Sequence, residues 1–442
     1  MTDRTERIVD RRRLLTTAAA TGALAVPLVA GSGASAATPG GRPGARRTMT
    51  GAERAARDGW RLLAGRKVGV VTNPTGVLTN LRSIVDEMHE SQQVDIRGVF
   101  GPEHGFRGTA QAGESEGTHE DPRTGITVYD AYGATTDDLV TMYREAGVDT
   151  IVFDIQDVGA RFYTYVWTMY TAMKAAVETK ARFVVLDRPN PVGGVARGPM
   201  MTEAFTSGVG AEAIVQAHGM TVGELARYFD REFLPEDTGG RLTEMQVVEV
   251  TGWRPSTLYA DTGLPWVMPS PNMPTPDTAL LYPGTGMFEG TNLSEGRGTT
   301  RPFELIGAPY VDHRLAERLT ARRIPGVEFR EAYFTPTFSK HEGKVCGGVQ
   351  VGTTDAARLD PIRVGVEMLV ALKALYPDFA WRYDDYDPKR PYWIDKLTGS
   401  TRLRMQISGG ASVATVVGAW QRELAAFDRR RRPHLLYRRD GR

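Results

Sequence analysis

The chain reads Val94-Asp95-Ile96-Arg97-Gly98-Val99-Phe100 and then Gly101-Pro102-Glu103-His104-Gly105-Phe106-Arg107-Gly108. The first seven residues are a short apolar run of the kind that forms a buried strand. The next eight place a carboxylate, an imidazole and a guanidinium among residues that dictate backbone shape. Pro102 fixes its own φ, and the glycines admit conformations other residues avoid. A strand that ends in a stiff, chemically loaded loop is how open α/β sheets present a site. The octapeptide alone also fits a plain Gly-Pro turn with a solvated charged tip.

Outward from this stretch, strand and helix patterns alternate. Residues 67–72 form an apolar run closed by Asn73-Pro74-Thr75-Gly76, and 81–90 are amphipathic. Strands are expected at 126–129, 150–155 and 182–186, and helices at 137–146 and 165–179. Thr50-Gly51-Ala52-Glu53 and Thr221-Val222-Gly223-Glu224 have the capping-box pattern and open helices to about 64 and about 229. This alternation predicts an α/β fold with a parallel sheet covered on both faces. Asn73, Glu103, Asp154, Asp157, Asp187 and Asn190 then fall just past strand C-termini, on the one edge where such sheets bind ligands.

Several classes drop out. No G-x-G-x-x-G follows the first strand, so no dinucleotide site is expected. No Walker motif and no G-x-S-x-G elbow are present. The single cysteine, Cys346, rules out an intrachain disulfide and a cysteine zinc site. It is expected to be a small core residue.

The 442 residues imply two domains. Residues 1–36 read as an export signal: Arg11-Arg12-Arg13-Leu14-Leu15, an interrupted apolar run, then Ala34-Ser35-Ala36. The paired arginines suggest the twin-arginine type, and the run is too short to span a membrane. An extracytoplasmic address follows, with no stable membrane insertion after cleavage. Residues 1–36 carry five arginines against three acids, so the formal +1 becomes about −1. Such a chain offers no basic field for nucleic acid. Residues 37–49 read as a linker and 50–275 as the sheet domain. Pro265, Pro269, Pro271, Pro274, Pro276 and Pro283 mark a semi-rigid connector into an α+β domain over 276–442. In that domain strands are expected at 327–329 and 347–351, and helices at 361–375 and 412–427. The arginines at 429–432, 438 and 439 read as a solvated tail.

Reactive groups are also dense at 288–301, which holds Glu289, Asn292, Glu295, Arg297 and Arg301 among glycines. A cleft between the domains would face this stretch with 101–108. Paired carboxyls across such a cleft suit glycoside hydrolysis, although arginine neighbours also form plain ion pairs with glutamates. A third cluster is Asp154 to Tyr165, with Asp157, Arg161 and Tyr163. Its plainer role is helix capping. Glu114, Glu116, His119, Glu120 and Asp121 lack any metal-ligand spacing and read as a flexible acidic loop. His218 is expected at the start of the next helix, and His341 in a surface charge run.

The motifs at 101–108, 154–165, 270–274, 288–304, 334–340 and 395–400 resemble the NamZ-type exo-β-N-acetylmuramidases, glycoside hydrolase family 171. The resemblance spans about 50–440, with Met287 standing where the pattern has a smaller residue. It implies a Rossmann-like parallel-sheet domain, a smaller α+β domain and an active cleft between them. It implies release of terminal β-linked N-acetylmuramic acid from the non-reducing end of peptidoglycan fragments, with no cofactor. Glu103 is then the general acid/base, with His104 orienting it or touching the leaving sugar, and Glu289 or Glu295 is the second carboxylate. Alternatively the substrate's acetamido group attacks and Asp154 or Asp157 orients it. The lactyl carboxylate calls for a bidentate arginine, with Arg107, Arg161, Arg297 and Arg301 the candidates. Asn73, Asn272 and Tyr163 complete the expected substrate contacts. The rival readings are a non-catalytic wall-glycan binder and a metal-dependent hydrolase using the 114–121 loop.

Overall fold

The structure is a computed structural model that describes residues 47–111 and 113–439. The expected signal at 1–36, and the linker up to residue 46, lie outside the described residues. Nine strands occupy the first half: Lys67–Thr72 (β1), Asp95–Gly101 (β2), His119–Glu120 (β3), Thr127–Asp130 (β4), Thr150–Asp154 (β5), Arg182–Leu186 (β6), Arg197–Met200 (β7), Val215–Ala217 (β8) and Met245–Val248 (β9). Seven of them form one sheet in the order β3-β4-β2-β1-β5-β6-β9, and β7 pairs with β8 alone. Every pair in the large sheet is parallel except β3 with β4. Leaving out the short edge strand β3, this is the 3-2-1-4-5-6 order of a doubly wound Rossmann sheet. The order reverses between β1 and β5, and the ligand crevice of such a sheet opens there.

Apolar run and burial agree. All five residues of β5 are buried, as a central parallel strand requires. The helix Tyr165–Thr179 covers the sheet with nine buried residues. The two capping boxes differ. At Thr221, side chain and backbone of Glu224 answer each other, and the helix runs to Glu232. At Thr50 only half the box forms, because the Glu53 carboxylate instead takes the Thr79 amide and hydroxyl. That helix stops at Arg57, not near 64, as Gly59 and Trp60 turn to positive φ.

The proline-rich connector contains an unexpected helix, Pro276–Thr285, with Pro276 in its first turn, where a missing N–H costs nothing. Beyond it, Leu305–Ala308 (β10), Val327–Phe334 (β11) and Cys346–Thr353 (β12) form an antiparallel sheet in the order β10-β12-β11. The helix Pro361–Leu375 packs on Pro276–Thr285 so closely that a methyl group on Gly284 would enter the Pro361 carbonyl. Buried Met287 fills the space beside Gly365 in the same seam. Cys346 is buried.

Two expectations for the C-terminus fail. The 412–427 helix is two, Val413–Gly418 and Gln421–Arg431. The arginine-rich end is not a solvated tail. Buried Arg431 donates to the carbonyls of Gly194, His218 and Gly219 in the first half. Tyr437 donates to Asp187, and Arg439 pairs with Glu224. Among the described residues no helix is long and apolar enough to cross a membrane.

Candidate active site

A cleft of about 160 Å³ opens at the β1/β5 reversal. The loop after β2 contributes Glu103 and His104, and the loop after β5 contributes Phe162, Tyr163, Thr164 and Tyr165. Val209, Ser270 and Asn272 form a further wall, and Tyr282, Glu289 and Arg297 close it from the second half. The 101–108 and 288–301 stretches therefore meet.

The loop after β2 is held by acids. Glu116 accepts hydrogen bonds from the amides of Phe106 (3.0 Å) and Thr109 (3.0 Å). Gly105, at φ +81°, lies against that carboxylate, and any Cβ there would overlap it. Arg107 forks onto Asp121 and reaches Asp86 at 2.9 Å. It braces the loop and does not face the cleft, which corrects its assignment as a substrate ligand. Of the 114–121 acids, Glu116 and Asp121 are bound into the scaffold, while Glu114 and Glu120 are exposed. No group of three or more potential metal-ligating side chains gathers among the described residues.

Within this frame Glu103 keeps an open carboxyl. One oxygen accepts from the Gly113 amide at 2.9 Å, the other from the Thr164 hydroxyl at 3.3 Å, and among the described residues no cation pairs with it. His104 sits at φ +72°, an uncommon conformation for a side-chain-bearing residue. Its Nδ1 lies 3.1 Å and 3.0 Å from the carbonyls of Ala110 and Gln111. Both are acceptors, so Nδ1 carries a proton.

The second carboxylate is narrowed. Glu289 lines the cleft and pairs with Arg297 at 2.9 Å. Glu295 is nearly fully buried between Arg297 (3.2 Å) and Lys340 (2.7 Å), and holds the arginine from behind. Of the four arginines considered, only Arg297 faces the cleft. Arg161 is fully buried, donates to the carbonyls of Pro199, Ile214 and Leu397, and is pushed down to about 9 by burial. Arg301 pairs with Glu304 at 3.1 Å.

The strand-edge aspartates are structural. Asp154 forms a buried pair with Arg188 at 2.5 Å. Asp157 caps the Gly159 amide at 2.7 Å and meets His218 at 3.1 Å, so His218 is a buried partner, not a helix opener. Asn73 donates to the Pro269 carbonyl behind Tyr165. His341, expected in a surface charge run, bonds the Asn292 carbonyl at 2.6 Å.

An aromatic wall was not foreseen as a unit. Tyr163 packs edge to face with Tyr165 and Tyr282, at 5.2 and 5.7 Å between centroids. Burial, reinforced by nearby Glu289 and also by Glu103, holds the Tyr282 phenol well above its ordinary range. Both carboxylates thus act on one ring. Tyr163 is protonated for the same first reason, and its buried hydroxyl has no well-formed hydrogen bond within the protein, with Ser270 its nearest polar help. Tyr282 escaped notice because it lay within the proline-rich connector. A second hollow of about 240 Å³, beside Arg47, Arg57 and Asn80, holds no comparable chemistry, since its Glu53 is committed to Thr79 and Arg57.

Known proteins match most of the chain. Residues 68–277 match the N-terminal, and 280–437 the C-terminal, domain of the exo-β-N-acetylmuramidase NamZ family. The peptidoglycan β-N-acetylmuramidase NamZ of Bacillus subtilis is 43% identical over 393 residues, 88% of this chain and 92% of that protein. Two crystal structures of DUF1343 family proteins from Bacteroides fragilis each cover 89% of the chain. One has 33% identity and a TM-score of 0.78 over 99% of its length, the other 28% and 0.70 over 100%. Sheet order, cleft and both matched halves lead to one conclusion: the chain belongs to the NamZ exo-β-N-acetylmuramidase family.

Proposed function

We propose that the chain hydrolyses the β-glycosidic bond of a terminal N-acetylmuramic acid at the non-reducing end of peptidoglycan fragments. The observation that carries the roles is that two glutamates face one cleft in unlike settings. Glu103 has no cation beside it and can deliver a proton to the leaving oxygen. Glu289 is held by Arg297 and supplies negative charge toward the oxocarbenium-like centre. His104 positions the Glu103 loop through its two carbonyl contacts. Arg297 is the guanidinium that meets the lactyl carboxylate. Asn272 supplies a polar contact to the sugar, and Tyr163 part of the wall it rests against. The residues 11–13 arginines and the 34–36 cleavage pattern support export to where such glycans are found.

The test is hydrolysis of a chromogenic β-N-acetylmuramide by wild type and Glu103→Gln, with and without chelator. Turnover that survives chelator and falls about 10³-fold in the variant fits the reading. No wild-type turnover points to a glycan binder, chelator loss to a metal enzyme, and full activity in the variant removes Glu103 from the acid role.

A further inference from the structure

We propose that Tyr132 is the floor of a second sugar subsite, which receives the leaving-group hexosamine of the glycan. This rests on the reading of Glu103 as general acid. A cleft of about 160 Å³ holds one pyranose ring, so the rest of the substrate must leave over the rim. The oxygen that Glu103 protonates belongs to the next sugar. That sugar therefore lies on the Glu103 side of the mouth.

Tyr132 lies outside the residues that line the cleft, on the turn that leaves the sheet beside the Glu103 loop. Asp130, at the end of β4, is in register with Gly101 at the end of β2, and the Ala131 amide donates to the Gly101 carbonyl at 2.9 Å. The Tyr132 amide is turned back onto Asp130 at 3.1 Å, and Gly133, at φ +69°, carries the chain away with open space around it. The turn thus presents Tyr132 two residues beyond the pair that launches the Glu103 loop. Burial and then the Glu103 charge raise its phenol above the ordinary range, which agrees with this proximity. Tyr163, Tyr165 and Tyr282 are buried and pack edge to face, whereas Tyr132 is 40% exposed. A β-linked hexosamine presents a flat face of C–H bonds, and a half-exposed aromatic ring is the surface that such a face covers.

The experiment compares two substrates of one enzyme: the disaccharide N-acetylmuramyl-β-1,4-N-acetylglucosamine, and β-N-acetylmuramyl fluoride, whose leaving group has no ring. For Tyr132→Ala, kcat/KM on the disaccharide is expected to fall about tenfold, mainly through KM, with at most a twofold loss on the fluoride. Tyr132→Phe, which keeps the ring, is expected to restore the disaccharide rate to within about twofold. Equal losses on both substrates, no loss on either, or failure of the Phe variant to restore activity overturns the subsite. Wild-type inactivity on both substrates removes the glycosidase reading itself, and the subsite with it.

Discussion

Glu103 follows β2 and Asp154 ends β5, on either side of the same strand β1, yet the two carboxylates have opposite fates. Glu103 is held by one amide and one hydroxyl and opens into the cleft. Asp154 is shut inside with Arg188, and Asp187, one strand further, takes the Thr221 and Tyr437 hydroxyls and the Gly223 amide. Position at the strand edge brings a charge near the site. What decides its work is whether the fold has already supplied its partner.

The strongest way to break that contrast is at Glu103. Glu103→Gln should lose about 10³-fold on the disaccharide and far less on β-N-acetylmuramyl fluoride, whose leaving group needs no proton. Its unfolding midpoint should stay near wild type. Asp154→Asn should do the reverse. It strands a buried guanidinium, and the expected cost is about 3 kcal/mol of stability in a urea titration, with kcat little changed at temperatures where the protein stays folded. Comparable activity losses from the two variants would erase the distinction.

A smaller effect separates frame from chemistry. Gly105→Ala forces a Cβ into the Glu116 carboxylate at a positive φ, so the Glu103 loop must shift. About a tenfold fall in kcat/KM is expected, on disaccharide and fluoride alike. The smallest effect is one of pH. Burial raises the Asp187 carboxyl to about 7, against an unfolded value of about 3.9. The folded state therefore holds a proton that the unfolded state has lost. This contribution to stability is complete below about pH 4 and falls as pH rises toward about 7, then levels off. Urea midpoints across that window should show the decline, and Asp187→Asn should flatten it.

These contrasts also explain what could be read from the chain beforehand. Five of the six parallel strands were legible because each is a short, largely apolar run closed by polar or glycine residues, whereas β9, only four residues long and half-buried, was not, and the helices at 165–179 and 361–375 matched their patterns to the residue. The helix Pro276–Thr285 was hidden because proline in a first turn looks like a breaker until the cap is seen. The split at Ala419 and Trp420 follows Gly418, a single glycine of low helix propensity inside an otherwise continuous helical pattern. In the site, Glu103 stood out because its loop chemistry is local. Arg161 did not declare its role because one of its acceptors, Leu397, is 236 positions away. Asp154 and Arg188 are 34 apart, with nothing in either segment to announce the pair.

The C-terminal arginines have a consequence for how the molecule is made. Glu224, Asp187 and the Gly219 carbonyl sit in the first half, yet they wait for Tyr437, Arg431 and Arg439. A nascent chain leaves synthesis N-terminus first, so the doubly wound sheet emerges with these groups only partly answered, by Thr221 and Gly223 of the first half. Residues 431–439 act as a latch that is made after the sheet it closes. Until it arrives the first half is an unfinished intermediate, and a nonsense truncation of only those residues would release an unsealed domain to aggregation or proteolysis.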